Sequence, residues 1–262
     1  MKNKSRGWRR FICASDNHGS AICKDSARAL FKFAEHWQPD IALHLGDAWD
    51  FAPLRVGLRN EESIANDDLE ADLLAGFSFI EQFGEACGGL DAILLGNHDA
   101  RVWRVAEEHS NGLMRMAAEG VISRIEKQAK RVKARLVPYH HDQGVYSISN
   151  KLSAVHGYTA SVRAVSQTAA HFAPSPGGGV IMGHLHRVEC STAPRHGGAS
   201  AWSHGCLVDL KSSAMSYASS RLATSQWGNG WAYGVTKGDE FIVWQAARVG
   251  GKWLLPTGLE EL

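Results

Sequence analysis

Five short apolar runs in this chain each break off into a cluster of polar residues and glycine, and that repeated junction constrains the fold more than anything else in the sequence. The clusters are Asp16-Asn17-His18, Gly46-Asp47-Ala48-Trp49-Asp50, Gly96-Asn97-His98-Asp99, His156-Gly157 and Gly183-His184-Leu185-His186. A short apolar run bounded by turn formers reads as a strand. Strands are therefore expected at Arg10 to Ser15, Ile41 to Leu45, Leu90 to Leu95, Leu152 to His156 and Val180 to Met182. Helical periodicity fills the spaces between the first three, with helices expected at about Lys24 to Trp37 and Asp67 to Cys87. A third helical stretch, about Ala100 to Lys130, should break near Gly112 or Gly120.

The second half is richer in strands. Val145 to Ser149 should pair with Leu152 to His156 as a hairpin, and a helix from about Ala160 to Phe172 should precede the strand at Val180. Trp231 to Thr236 and Phe241 to Gln245 flank the turn-like KGDE, whereas the Ser/Ala-rich run Lys211 to Ser225 has no clear period. An α/β first half joined to such a second half predicts an αββα sandwich, two packed mixed sheets flanked by helices, as one domain over residues 1–262. With 262 residues, 44% of them hydrophobic, the chain can bury a full core.

Charge and cysteine content narrow the surroundings. A net charge of +1 is neither the basic excess of a nucleic-acid coat nor an acidic tail. The five cysteines are odd in number, scattered and never in a CxxC pair, which argues against a disulfide framework and a thiolate metal site and favours a reducing compartment. The basic start MKNKSRGWRR is followed by only Phe11 to Ala14 before polar residues intervene, too short for a signal peptide. No run approaches a membrane span, so the expectation is a cytoplasmic protein without a membrane partner.

Each polar cluster follows an expected strand and so sits at its carboxyl end, where α/β sheets place ligand sites. Residues at i and i+2 of an extended segment share a side, so Asp16 with His18, and His184 with His186, should each converge on one point. The neighbouring glycines would let the backbone turn sharply. Carboxylate, imidazole and amide donors without thiolate suit Mn, Fe, Zn, Co or Ni. Seven candidates (Asp16, His18, Asp47, Asn97, His156, His184 and His186) exceed what one tetrahedral ion uses, which implies two divalent ions with a shared carboxylate.

In these motifs the chain resembles the calcineurin-like metallophosphoesterase superfamily, whose signature runs D-x-H, G-D-x-x-D, G-N-H-D/E, H, G-H-x-H; the resemblance spans Asp16 to His186. It implies that Asp16, His18 and His186 hold one metal, that Asn97, His156 and His184 hold the other, and that Asp47 bridges them, with manganese the favoured ion. It implies further that His98 faces a phosphoester substrate as proton donor, with Asp50 as its orienting partner. Two such ions would acidify a water, clamp the phosphoryl oxygens and offset charge in an in-line displacement. A phosphodiesterase is the expected activity, with phosphomonoesters also open because His98 is present. A nuclease of the same superfamily, with nucleic acid as partner, and a non-catalytic metal-bound scaffold are the rival expectations. Phe51 and Leu95 stand where eukaryotic serine/threonine phosphatases carry arginines beside the corresponding motifs, which disfavours a protein phosphatase.

Several residues have plainer readings. Asp50 could be a helix cap or a solvated loop residue, and Asp99 sits where a helix N-cap belongs, so capping is expected of it. Arg101, at the start of the same helix, could bind phosphate or simply lie exposed. His44 is expected in the core or behind the site, and His204 could reach the cleft from a late strand. Lys127, Lys130, Arg131, Lys133 and Arg135 could track a nucleic-acid backbone or form a charged surface. Trp227, Trp231 and Tyr233 could line a stacking wall or pack in a terminal hairpin.

Overall fold

The computed structural model describes residues 7–54, 68–194, 197–211 and 226–255. Strands β1 (Arg9–Ala14), β2 (Ile41–His44), β3 (Ala92–Leu94) and β4 (Arg135–Val137) lie parallel and adjacent in a seven-stranded sheet. The second sheet centres on three further parallel strands, β6 (Leu152–Val155), β7 (Gly179–Met182) and β9 (Ser200–His204). Its antiparallel edges are β5 (Tyr146–Ser147) and β8 (Val188–Thr192). The first sheet is completed by β10 (Gly230–Lys237), β11 (Glu240–Val249) and β12 (Lys252–Leu254), which extend it antiparallel from β1.

Alternation along β1 shows how the layers form. Phe11 and Cys13 point between the sheets, where Leu43 and Leu94 meet Ala154 and Ile181 of the second sheet. Ile12 and Ala14 face the other way, onto Leu30 and Phe33 of α1 (Lys24–Trp37) and Phe79, Ile80 and Phe83 of α2 (Leu69–Cys87). Strands covered on both faces read as continuous apolar runs, which is why they were visible as such. Helices α3 (Ala100–Glu108) and α4 (Gly112–Arg131) join the same outer layer, while Val165 and Ala169 of α5 (Ala164–Phe172) cover the far face of the second sheet against Val180 and Met182. The architecture is the αββα sandwich.

Local signals set the boundaries. Asp68 caps α2 by accepting the amides of Glu70 and Ala71, both at 3.0 Å. The long third helical stretch breaks at His109 to Asn111, because Asn111 caps α4 by accepting the Leu113 amide at 2.9 Å; Gly120 passes through the helix unbroken. Lys237 pairs with Glu240 across the KGDE turn, as expected. The run Lys211 to Ser225 falls, after Lys211, outside the described residues. Among the described residues no helix is long and apolar enough to cross a membrane, and all five cysteines are free.

Candidate metal centre

The motif loops are not the extended segments that i, i+2 convergence assumed. Asp16 (φ 56°), His18 (φ 48°), Asp47 (φ 52°), His184 (φ 70°) and His186 (φ 57°) all adopt left-handed backbone, five of the seven ligand candidates. Convergence comes from these turns, each of which costs a non-glycine residue about 1–2 kcal/mol. Hydrogen bonds between loops hold them there: the Asp16 amide donates to Gly46 O at 3.0 Å, the His18 amide to Asp47 O at 3.1 Å, and the Leu207 amide to Asp16 O at 3.0 Å. Strained backbone gathered in one place and over-determined by its surroundings is characteristic of functional sites. Glycine is required where the loops touch, since a Cβ on Gly96 would lie 2.0 Å from Asp47 Oδ1, and one on Gly46 2.6 Å from His156 Nδ1.

The structure brings all seven candidates together, with His98 and Asp50 beside them. His186 Nε2 lies 3.2 Å from Asp16 Oδ1 and 3.1 Å from His18 Nε2. His156 Nε2 lies 3.1 Å from Asn97 Oδ1 and 3.3 Å from Asp47 Oδ2. Among the described residues, Asp16, His18 and His186 form one group able to hold a cation, and Asp47, His156 and His184 form another. Asp47 Oδ2 is also 3.9 Å from His18 Nε2, so Asp47 stands between the two groups. A third group, His18, Asp50 and His98, adjoins the first. Asp50 Oδ1 faces both His18 Nδ1, at 2.9 Å, and His98 Nδ1, at 2.5 Å.

These partners set where the lone pairs point. Asp50 takes the Nδ1–H of His18, and Leu45 O takes the Nδ1–H of His156 at 2.7 Å, which in the neutral rings leaves each Nε2 bare. Both bare nitrogens aim at oxygen acceptors or at another imidazole, an arrangement that repels unless positive charge lies between. Metal-binding histidines are oriented in this way by carboxylates and backbone carbonyls. The donor set therefore fits divalent cations.

Electrostatics agree. Burial opposes charge on His18, but the Asp50 hydrogen bond and the Asp47, Asp50 and Asp16 carboxylates outweigh it and lift its pKa to about 9. Against burial, the Asp47 carboxylate likewise lifts His156 to about 9. Protons and divalent ions compete for such nitrogens. Burial raises and the imidazoles lower Asp16, Asp47 and Asp50, and the net direction for each is down. His184 is pushed down to about 4 by burial and then by His156, and burial also lowers His98.

Two buried carboxylates hold this arrangement from behind. Asp99 does not cap α3: its side chain makes no capping hydrogen bond, and accepts instead the amides of Gly96 and Asp47, both at 2.8 Å, and Trp49 at 3.0 Å. It ties the loop after β3 to the loop after β2, and burial, then the Asp47 charge, raises its pKa to about 7. The carboxylate turns instead to an amide of its own loop and two of the loop after β2. Asp72, which no motif marks, accepts the amides of Ser20, Asp50 and Phe51 from α2. Its only sequence signal is a carboxylate on the buried side of a helix.

The remaining candidates lie outside this cluster. Arg101 Nη1 donates to Asp50 O at 2.6 Å, so this nitrogen supports the loop. His44 is buried with Nε2 2.8 Å from Asn17 Oδ1, behind the site. His204 is also buried, its Nε2 3.4 Å from the Ser15 hydroxyl that bonds Asp16. Trp231 and Tyr233 pack in the core, while the Trp227 ring lies 4.3 Å from that of His186. Arg135 pairs with Ala92, at the start of β3, so the basic segment lies at the end of the sheet opposite the motif loops.

No protein-family model and no curated protein sequence matches the chain. Solved structures that it resembles include wild-type Vps29 complexed with zinc from Entamoeba histolytica, at 12% identity and a TM-score of 0.42 over 94% of this chain and 96% of that one. A predicted phosphoesterase from Streptococcus pneumoniae aligns at 12% identity and a TM-score of 0.40, covering 92% of this chain and 90% of its own. A structure titled as a novel phosphatase from Mycoplasma pneumoniae gives 11% identity and a TM-score of 0.40 over 92% and 94%. These are likenesses of chain layout, and the chemistry is argued from this chain's own residues.

Proposed function

We propose that the chain is a metal-dependent hydrolase of phosphoester bonds, acting on diesters and, through His98, on monoesters. One observation carries the reading: two donor groups meet at Asp47, and beside them stands a histidine in neither group whose Nδ1 is held by Asp50. Asp16, His18 and His186 would hold one divalent ion, Asn97, His156 and His184 the other, with Asp47 between them and manganese favoured. When bound, the pair supplies an acidified water and offsets the charge on the phosphoryl oxygens. The chain supplies the proton. With Nδ1 committed to Asp50, Nε2 is the nitrogen of His98 left to serve the leaving-group oxygen, and the ionised Asp50 steadies the imidazolium until that proton is given up. Asp99 keeps the bridging and donor loops in register, so neither needs to reorganise when substrate binds.

A cytoplasmic setting suits the free cysteines. The nuclease alternative loses its electrostatic support, because the basic segment is remote from the motif loops. A non-catalytic scaffold has no need of a held proton donor. The test is a panel of mono-, di- and cyclic phosphoesters, with single- and double-stranded DNA, given to protein loaded with each metal in turn and to chelated protein. Metal-dependent turnover of small diesters that vanishes on chelation is expected. Absence of turnover by protein shown by elemental analysis to carry metal would favour the scaffold.

A further inference from the structure

Asp50 is the hinge of the proposed chemistry, since one of its oxygens serves a metal-ligand candidate and the proton donor together. What fixes Asp50 lies outside every motif. Asp72 is buried in the first turns of α2, where an acidic residue ordinarily needs no further explanation than the helix dipole. Its carboxylate does more: Oδ2 accepts the amides of Phe51 at 3.0 Å and Asp50 at 3.2 Å, and Oδ1 accepts that of Ser20 at 3.3 Å. It thereby ties the loop after β1 to the loop after β2. Gly19 keeps room for it, because a Cβ there would sit 1.9 Å from Asp72 Oδ1. Arg101 grips the same residue from α3, donating to the Asp50 carbonyl at 2.6 Å. Asp50 is held at both its N–H and its C=O, and Phe51 beside it is kept at φ 45°.

We propose that Asp72 is a positioning residue that sets the Asp50 carboxylate between His98 and His18, and so aligns the proton donor with the metal site. The contacts stand on geometry alone, and only the activity readout rests on the phosphoesterase reading. Charge-assisted hydrogen bonds to backbone amides are directional, and Asp72→Asn replaces one acceptor oxygen with a donor group that opposes them.

The experiment compares kcat/KM on an alkyl and a nitrophenyl phosphoester for wild type, Asp72→Asn and Asp72→Asn combined with His98→Ala, with metal content checked in each. A positioning role predicts a loss of ~10–100-fold on the alkyl ester, the range usual for partners behind a metal site, and a much smaller loss on the nitrophenyl ester. It also predicts little further loss in the double variant, because both changes act through one proton donor. The second measurement does not require turnover: the ring N–H resonance of His98, identified by its disappearance in His98→Ala, should shift or broaden in Asp72→Asn. If the Asn variant does not fold, Asp72→Glu keeps the charge but displaces the carboxylate, and should show the same selective loss and the same spectral change. Equal losses on both esters, additive losses in the double variant or an unmoved resonance overturns the proposal. A wild type that hydrolyses no ester would sink the phosphoesterase reading, and the resonance would then decide the positioning role by itself.

Discussion

The two sheets contribute to the candidate centre in different ways. Loops after β1, β2 and β3 are fastened by buried carboxylates: Asp99 and Asp72 between them accept six backbone amides, from Gly96, Asp47, Trp49, Ser20, Asp50 and Phe51. The loops after β6 and β7 draw on other partners: the Tyr139 hydroxyl donates to Gly157 O at 3.2 Å, and the His184 amide donates at 3.0 Å to Asp16, itself a ligand candidate, with neither Asp99 nor Asp72 reaching them. His156 Nδ1 is oriented by a backbone carbonyl with the Tyr139 ring at its edge, and the buried His186 Nδ1 has no hydrogen-bond partner among the described residues, its ring resting against that of Trp227. Polar networks fix direction, whereas packing fixes position but tolerates small rotations. The first sheet's loops should therefore govern chemistry, and the second sheet's loops should govern how tightly an ion is held.

The most damaging change expected is at the junction of the two. Asp47→Asn should cost about one metal per chain and most of the activity, because a neutral amide cannot serve two cations as a carboxylate does. Elemental analysis beside turnover measures both, and two retained metals with wild-type turnover would remove Asp47 from that place.

Next is the contrast between adjacent residues on the first sheet. His98→Ala should slow alkyl esters by ~10²–10⁴-fold while sparing nitrophenyl esters, whose leaving groups need no proton. Asn97→Ala should depress both esters together and lower bound metal. Equal losses on both leaving groups for His98→Ala, with metal retained, would refute proton donation by His98.

The second sheet can be loosened without touching a ligand. Trp227→Ala should weaken metal affinity ~10-fold, at the mild end of what partners behind a metal site contribute, and leave the alkyl-to-nitrophenyl ratio unchanged. Metal titration reads the first and kcat/KM the second. A changed ratio with unchanged affinity would reverse the division drawn between the sheets.

The smallest effect is expected far from both. Neutralising Lys130, Arg131, Lys133 and Arg135 together should alter small-ester turnover by less than about twofold, since solvent screens charges beyond roughly 10 Å. Should the protein bind DNA, and should its salt dependence flatten in this variant, the nuclease reading returns.

Sequence alone determined strands β1, β2, β3, β5, β6, β7, β10 and β11, the two-sheet architecture and the cluster of nine polar residues from Asp16 to His186 that includes Asp50 and His98, whereas the bounds of β4, β8, β9 and β12 emerged only in the fold. Each was written locally: apolar runs closed by turn formers mark strands, and motif spacing puts polar side chains at strand ends. Tertiary structure decided the left-handed turns that aim those side chains, the loop-fastening role of Asp99, the hold of Asp72 and Arg101 on Asp50, and the seat of Trp227 against His186. The reason is distance along the chain. Asp99 meets the Trp49 amide across 50 positions and Asp72 meets the Asp50 amide across 22. A buried carboxylate takes whichever unsatisfied amides the fold brings nearest, and neither its own helix nor its sequence neighbours name them.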